Sequence, residues 1–225
     1  MKRTIIPAFL LLAGFLVAPA MGAHIEARVG LGTQLGDFFD ASSGFVAGST
    51  SHTNTLCFSD GTAEACFTMT IEGFDSNGAP AALIPNNQAV GIEVGVNDTQ
   101  IDAGEWVKVT YDAISVTALN PPPSIASWTA GLGSIRLAAF DDGVDTFTYS
   151  GPGAGTMVGD DTNYIDLDEP IIMAGDMFTV KADSGRFRML WISNHADYDV
   201  VPEPLGLGLV CVGLFGLVTT RRRQG

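Results

Sequence analysis

Acidic side chains are the most numerous reactive groups in this sequence: 25 Asp and Glu stand against 11 Lys and Arg. Calcium is the chemistry they suggest, since it needs several hard oxygen donors at close quarters. Three segments offer such donors. Asp160 and Asp161 are followed by Asn163, Asp166, Asp168 and Glu169. Asp141, Asp142 and Asp145 flank Gly143, and Asp75 and Asn77 precede Gly78. None completes the Asp-x-Asp-x-Asp-Gly series of an EF-hand. Calcium therefore enters as an optional ion, expected at Asp160, Asp161, Asn163, Asp166 and Asp168. The competing reading is an acidic solvated turn.

The remaining reactive residues form no catalytic set. His24, His52 and His195 have no local metal-ligand spacing. His195-Ala196-Asp197 has the residue types of a general base and its carboxylate, but it reads as the start of a polar stalk after the last strand. There is no G-x-S-x-G elbow. The glycine-rich run over 151–155 lacks the Lys-Ser/Thr of a phosphate loop. The expectation is a protein that is not an enzyme and requires no cofactor.

Two further signals are structural or recognitional. Cys57 and Cys66 bracket the turn signal Asp60-Gly61, with alternating flanks. That pattern predicts a hairpin whose two cysteines are cross-strand neighbours and form a disulfide. The alternative is a pair of free buried thiols. Trp106, Trp128 and Trp191 are candidate aromatic platforms for carbohydrate. Trp106 is the sharpest, because its strand parity opposes Val107, Val109 and Tyr111. Sugar binding rests here on an analogy of fold, and core packing is the ordinary role of each indole.

The two ends of the chain differ from its body. Lys2 and Arg3, an apolar run over 5–17 and the small residues Ala18-Pro19-Ala20 and Met21-Gly22-Ala23 read as a secretory signal over 1–23. Cleavage fits after Ala20 or after Ala23. At the other end stand Pro202, Glu203 and Pro204, an uncharged stretch over 205–220, and Arg221, Arg222 and Arg223. The prolines favour an extended segment. The apolar stretch suits a membrane helix, whose backbone bonds are all internal. Its sixteen residues reach roughly 24 Å, slightly short of a bilayer core. The arginines would hold their end in the cytoplasm. Cys211 inside the stretch reads as a small apolar filler.

This tail resembles the PEP-CTERM sorting signal, over residues 201–225 only. The resemblance implies a bacterial exported protein, recognition by an exosortase, and cleavage near Pro202–Pro204. It also implies a cell surface or extracellular destination after processing and an inner-membrane anchor before it. Exopolysaccharide is a partner often associated with such proteins. A plain C-terminal anchor is the competing reading of the same residues.

Between the ends the charge is lopsided. Residues 24–201 hold 24 acidic and 6 basic side chains, a balance of −18. Such a body repels nucleic acid and anionic lipid. No long stretch keeps an apolar period of 3.6. Short alternating or β-branched runs fall at 25–31, 52–59, 64–73, 89–96, 105–118, 133–140, 144–149, 163–167, 176–182 and 186–193. In the last, Phe187, Met189 and Trp191 would share one side. Turn signals such as Asn77-Gly78, Asp142-Gly143 and Ser184-Gly185 separate them. This predicts an all-β domain over 24–196, an antiparallel β-sandwich or jelly roll, followed by a linker and sorting tail over 197–225. Asn120-Pro121-Pro122-Pro123 reads as a stiff crossover.

Overall fold

A computed structural model of the chain describes residues 21–94, 99–119, 124–140, 144–153, 155–159 and 163–201. The leader before Met21, the Asn120–Pro123 connector, Asp160, Asp161 and the whole tail from Pro202 to Gly225 lie outside these residues. Among the described residues no helix is long and apolar enough to cross a membrane.

The described chain is all-β. Its strands are β1 (Met21–Gly30), β2 (Ser51–Ser59), β3 (Ala63–Phe74), β4 (Pro80–Pro85), β5 (Val90–Glu93), β6 (Ile101–Asp102) and β7 (Trp106–Ala118). After these come β8 (Ser124–Ala138), β9 (Thr146–Gly151), β10 (Gly155–Gly159), β11 (Tyr164–Asp166), β12 (Ile171–Ile172), β13 (Met177–Ser184) and β14 (Arg186–Val201). Every pairing among them is antiparallel. One wall runs β2-β3-β7-β13-β9-β10. In the other, β14 lies between β1 and β8, with β11 and β12 on the far edge of β8. β4 joins the walls by pairing with β3 and then β5. The result is one continuous antiparallel sheet curled into a near-barrel.

The hairpin of β2 and β3 follows directly from its residues. Gly61 takes a φ of 90°, which costs a glycine little. Asp60 Oδ1 accepts from the amides of Thr62 and Ala63 at 2.8 and 3.0 Å. That turn sets Cys57 opposite Cys66, and the two form a disulfide on the outward side of the hairpin. Alternation in β3 sends Ala65, Phe67, Met69 and Ile71 inward. In β7, Val107, Val109 and Tyr111 are fully buried, as their parity predicts. Each fully buried Phe, Met, Ile or Val contributes about 1.5–3 kcal/mol.

A fully buried polar bond ties the walls through the core. Tyr111 of β7 donates its hydroxyl to Asn194 Oδ1 of β14 at 2.6 Å, and both side chains are fully buried. A buried hydroxyl needs such an acceptor. Burial raises the Tyr111 phenol far above its ordinary range, aided by Tyr149 and by the charge of Asp176.

Two expectations are corrected in β14. The strand does not end near residue 193. It runs to Val201, and Ala196 and Tyr198 are part of the core. His195-Ala196-Asp197 is therefore strand, not stalk. Trp191 also leaves the side shared by Phe187 and Met189. The register shifts between Met189 and Trp191, and an extra residue at such a bulge reverses the following parity. Ile192, Asn194, Ala196 and Tyr198 then face inward, and Trp191 turns to the outer face.

Candidate binding face

The outer face of β1, β14 and β8 gathers the polar chemistry of the molecule. Ile25, Ala27 and Val29 of β1 point into the core, so His24, Glu26 and Arg28 project outward. Beside them in register stand Asp197, His195 and Ser193 of β14, and Gly30 pairs with Trp191. On the other flank of β14, Asp199, Asp197 and His195 face Ser127, Thr129 and Gly131 of β8.

At one end of this face lies a groove of about 330 Å³ lined by Arg28, Gly30, Gln34, Asp37, Asn87, Gln88 and Trp191. The Arg28 guanidinium sits 4.3 Å from the centre of the Trp191 ring, a cation–π contact. Tyr164 meets the same indole edge-on at 5.5 Å. The indole Nε1 has no hydrogen-bond partner among the described residues. Asp37 is held by glycine: a Cβ on Gly30 or Gly32 would overlap its carboxylate. Burial raises the Asp37 carboxyl above its ordinary range, the Gln34 amide pulls it back, and the nearby Asp40 charge raises it again. The groove thus offers a carboxylate acceptor, a guanidinium and three amide side chains.

At the other end is a second groove, of about 440 Å³, lined by Gly22, Ala23, His24, Ser127, Trp128, Thr129, Asp197, Tyr198 and Asp199. Trp128 is 40% exposed here, the most open of the three indoles. Ser127 donates to Asp199 Oδ2 at 2.7 Å. His24 Nδ1 lies 2.8 Å from Asp197 Oδ1, and His195 Nε2 lies 3.7 Å from Asp197 Oδ2. The two imidazoles stack with centroids 5.5 Å apart. Six strand positions separate His24 from Gly30, so the grooves are roughly 20 Å apart along one face.

The residues singled out from the sequence fall elsewhere or only partly here. Trp106 faces outward with Lys108 and Thr110, as its parity requires, but on the opposite wall. Phe74 covers one face of its ring at 3.9 Å, and Lys108 beside it is paired with Glu72. For calcium, Asn163, Asp166 and Asp168 are described; Asp166 and Asp168 are exposed. Cys57, Glu64 and Cys66 also approach one another, but the two sulfurs are bonded together and supply no thiolate. Asp60, read only as a turn residue, also accepts from the Tyr198 hydroxyl at 2.5 Å. Burial and that bond push the Tyr198 phenol up to about 12.

Sequence reasoning missed the convergence of His24, His195 and Asp197. The available signal was parity: His195 and Asp197 are two apart, so in a strand they share a face. The partner strand, more than 160 residues away, carried no such cue. Compared with protein-family models, curated proteins and solved structures, the chain finds no match.

Proposed function

We propose that this chain is an exported, non-catalytic surface or extracellular-matrix protein, structural or adhesive, whose sandwich-like domain holds polysaccharide along one outer face. The carrying observation is the pair of grooves on the β1, β14 and β8 face. One brings Asp37, Arg28 and amide groups together, and the other an open indole with carboxylates and hydroxyls. Carboxylates and amides exchange hydrogen bonds with sugar hydroxyls, and an exposed indole gives an apolar ring a surface to lie on. Two grooves roughly 20 Å apart suit a chain better than a single sugar.

Delivery rests on the ends. Signal peptidase would remove the leader, and an exosortase would act at Pro202, Glu203 and Pro204 before the arginines at 221–223. Cleavage after Ala20 leaves β1 whole. Cleavage after Ala23 would strip Met21, Gly22 and Ala23, which pair with Val200, Asp199 and Tyr198. The mature chain therefore begins at Met21 in this reading. Mass spectrometry of the protein from its host tests both ends: a mature peptide starting at His24, or an intact surface form containing Arg221, would contradict it.

The binding claim is tested by electrophoresis through gels containing neutral glucans or the host's exopolysaccharide. Retardation should weaken in Trp128→Ala and in Gln34→Ala/Gln88→Ala, while Trp106→Ala on the opposite wall leaves it unchanged. No retardation in any gel, or loss only in Trp106→Ala, overturns the glycan reading. Calcium is a supporting ion in this scheme, and an unchanged melting temperature at millimolar calcium removes it.

A further inference from the structure

We infer that His24, His195 and Asp197 form a binding site for a divalent transition-metal ion of the zinc class, and that the ion clamps the first strand to the last. This goes beyond the glycan reading and does not depend on it.

The argument begins with the register. His24 is directly opposite Asp197 in the β1–β14 pair, and directly opposed residues bring their Cβ atoms to about 4.5–5.5 Å. His195 and Asp197 are two apart on one strand, so they share the outer face. Three side chains thus converge from two neighbouring strands whose spacing is fixed by backbone hydrogen bonds.

The donor types fit. Zinc takes imidazole nitrogen and carboxylate oxygen at about 2.0–2.2 Å, and such bonds place tetrahedral ligand atoms about 3.3 Å apart. Two of the three donor pairs lie near that edge. His24 Nδ1 is 2.8 Å from one oxygen of Asp197, and His195 Nε2 is 3.7 Å from the other. The two contacts reach different oxygens of Asp197, and the three donors do not yet lie within one coordination sphere. The His24 ring, which is 55% exposed, must turn toward His195 to close it. A metal at Nδ1 would displace the present contact between His24 and Asp197.

One ligand is already seated. The His195 side chain is 11% exposed, and its ring lies over Gly131 of β8, where any Cβ would overlap it. This glycine leaves the room that the imidazole occupies. Three protein ligands leave a fourth position open, and the adjoining groove beside Trp128 gives water or a ligand access to it.

The test uses the full-length protein, purified without a histidine tag and stripped with a chelator. Isothermal titration with zinc should give one ion per chain, and cobalt should develop the visible absorption of a four-coordinate N/O site. His24→Ala, whose ring is exposed, should weaken zinc by at least about tenfold without altering the metal-free melting temperature. Zinc should raise the melting temperature of the parent protein but not of His24→Ala. His195→Ala should abolish the cobalt spectrum, with circular dichroism confirming that the variant folds. His52→Phe should leave zinc binding unchanged, and millimolar calcium should not displace the ion. The inference is overturned by absent zinc binding, by equal zinc affinity in His24→Ala, or by displacement of zinc by calcium.

Discussion

His52 packs among three phenylalanines. Its ring centre lies 5.5 Å from Phe38, 5.4 Å from Phe39 and 5.4 Å from Phe45, and its Nε2 has no hydrogen-bond partner among the described residues. Burial lowers its pKa below the ordinary imidazole value. A depressed histidine favours the neutral form in the folded chain. Its stabilising contribution is complete above the unfolded value of about 6.5 and is lost as pH falls through the folded value. The melting temperature should therefore drop between neutral pH and pH 5, and His52→Phe should remove part of that drop. A second acid loss belongs to the turns. Burial pushes the Asp60 carboxyl up, but bonds from Tyr198, Ala63 and Thr62 outweigh it and hold the group below the usual range. The Ser42 hydroxyl and the Gly36 amide lower Asp40, and the Ala79 amide lowers Asp75. These carboxylates stabilise the fold above about pH 4 and lose that effect as pH falls through their depressed folded values. Thermal melts of parent and His52→Phe across this range separate the two windows.

Among the strands, β7 and β14 carry the bond that crosses the core. Tyr111→Phe removes the donor and leaves Asn194 buried without it; Asn194 Nδ2 already lacks a partner among the described residues. The expected cost is about 1–3 kcal/mol, read by chemical denaturation with the denaturant slope unchanged. The Cys57–Cys66 bridge closes a short loop in the β2–β3 hairpin, so reduction should cost about 2–3 kcal/mol. That hairpin was legible in the sequence because everything fixing it is local: the Asp60-Gly61 turn, the alternating flanks and the facing cysteines. β14 was not, for a physical reason. Its register shifts between Met189 and Trp191, between Ser193 and Asn194, and between Asp199 and Val200. The first adds Leu190 to β14 and breaks its period of two, while the extra residues of the other two, Gly133 and Ala126, lie in β8. Beyond the break, the buried polar Asn194 and His195 made the strand look like a short strand and a polar tail. The extra residue at Leu190 moved Trp191 outward and hid the binding face. β8 was curtailed too: its exposed first half, Ser124 to Thr129, carries little apolar pattern. β4 and β10 went unread, and the two-residue strands β6 and β12 are too short to announce themselves. The parity of Trp106 was correctly legible, whereas its stacking on Phe74 required knowing which strand lies beside it.

At the scale of the whole molecule, charge dominates. The body between residues 24 and 201 carries −18, and few cations offset it locally. Lys108 pairs with Glu72, but Arg28 and Arg136 lie over the rings of Trp191 and Tyr164. Self-repulsion of this size opposes the compact state and is screened by salt. The melting temperature should rise from low salt to about 0.5 M sodium chloride, where the Debye length falls to roughly 4–5 Å. A flat or falling response would mean that repulsion is not limiting. The all-β, antiparallel class was legible at this scale from the short runs and frequent turns. Closure of the walls through β4 was not, because it depends on pairings at either end of one six-residue strand.

The pairing of β1 with β14 also sets a clock. A chain that emerges from its N-terminus presents β1 first, yet every residue of β1 waits for a partner between Trp191 and Val200. β14 is also the strand against which β8 is laid. Until the last stretch before Pro202 has emerged, one wall has no centre and β1 has no strand to pair with. The domain is thus an all-or-nothing object along its own length. A chain cut short anywhere before residue 186 is left with an unpaired first strand, a template for sticking to another copy.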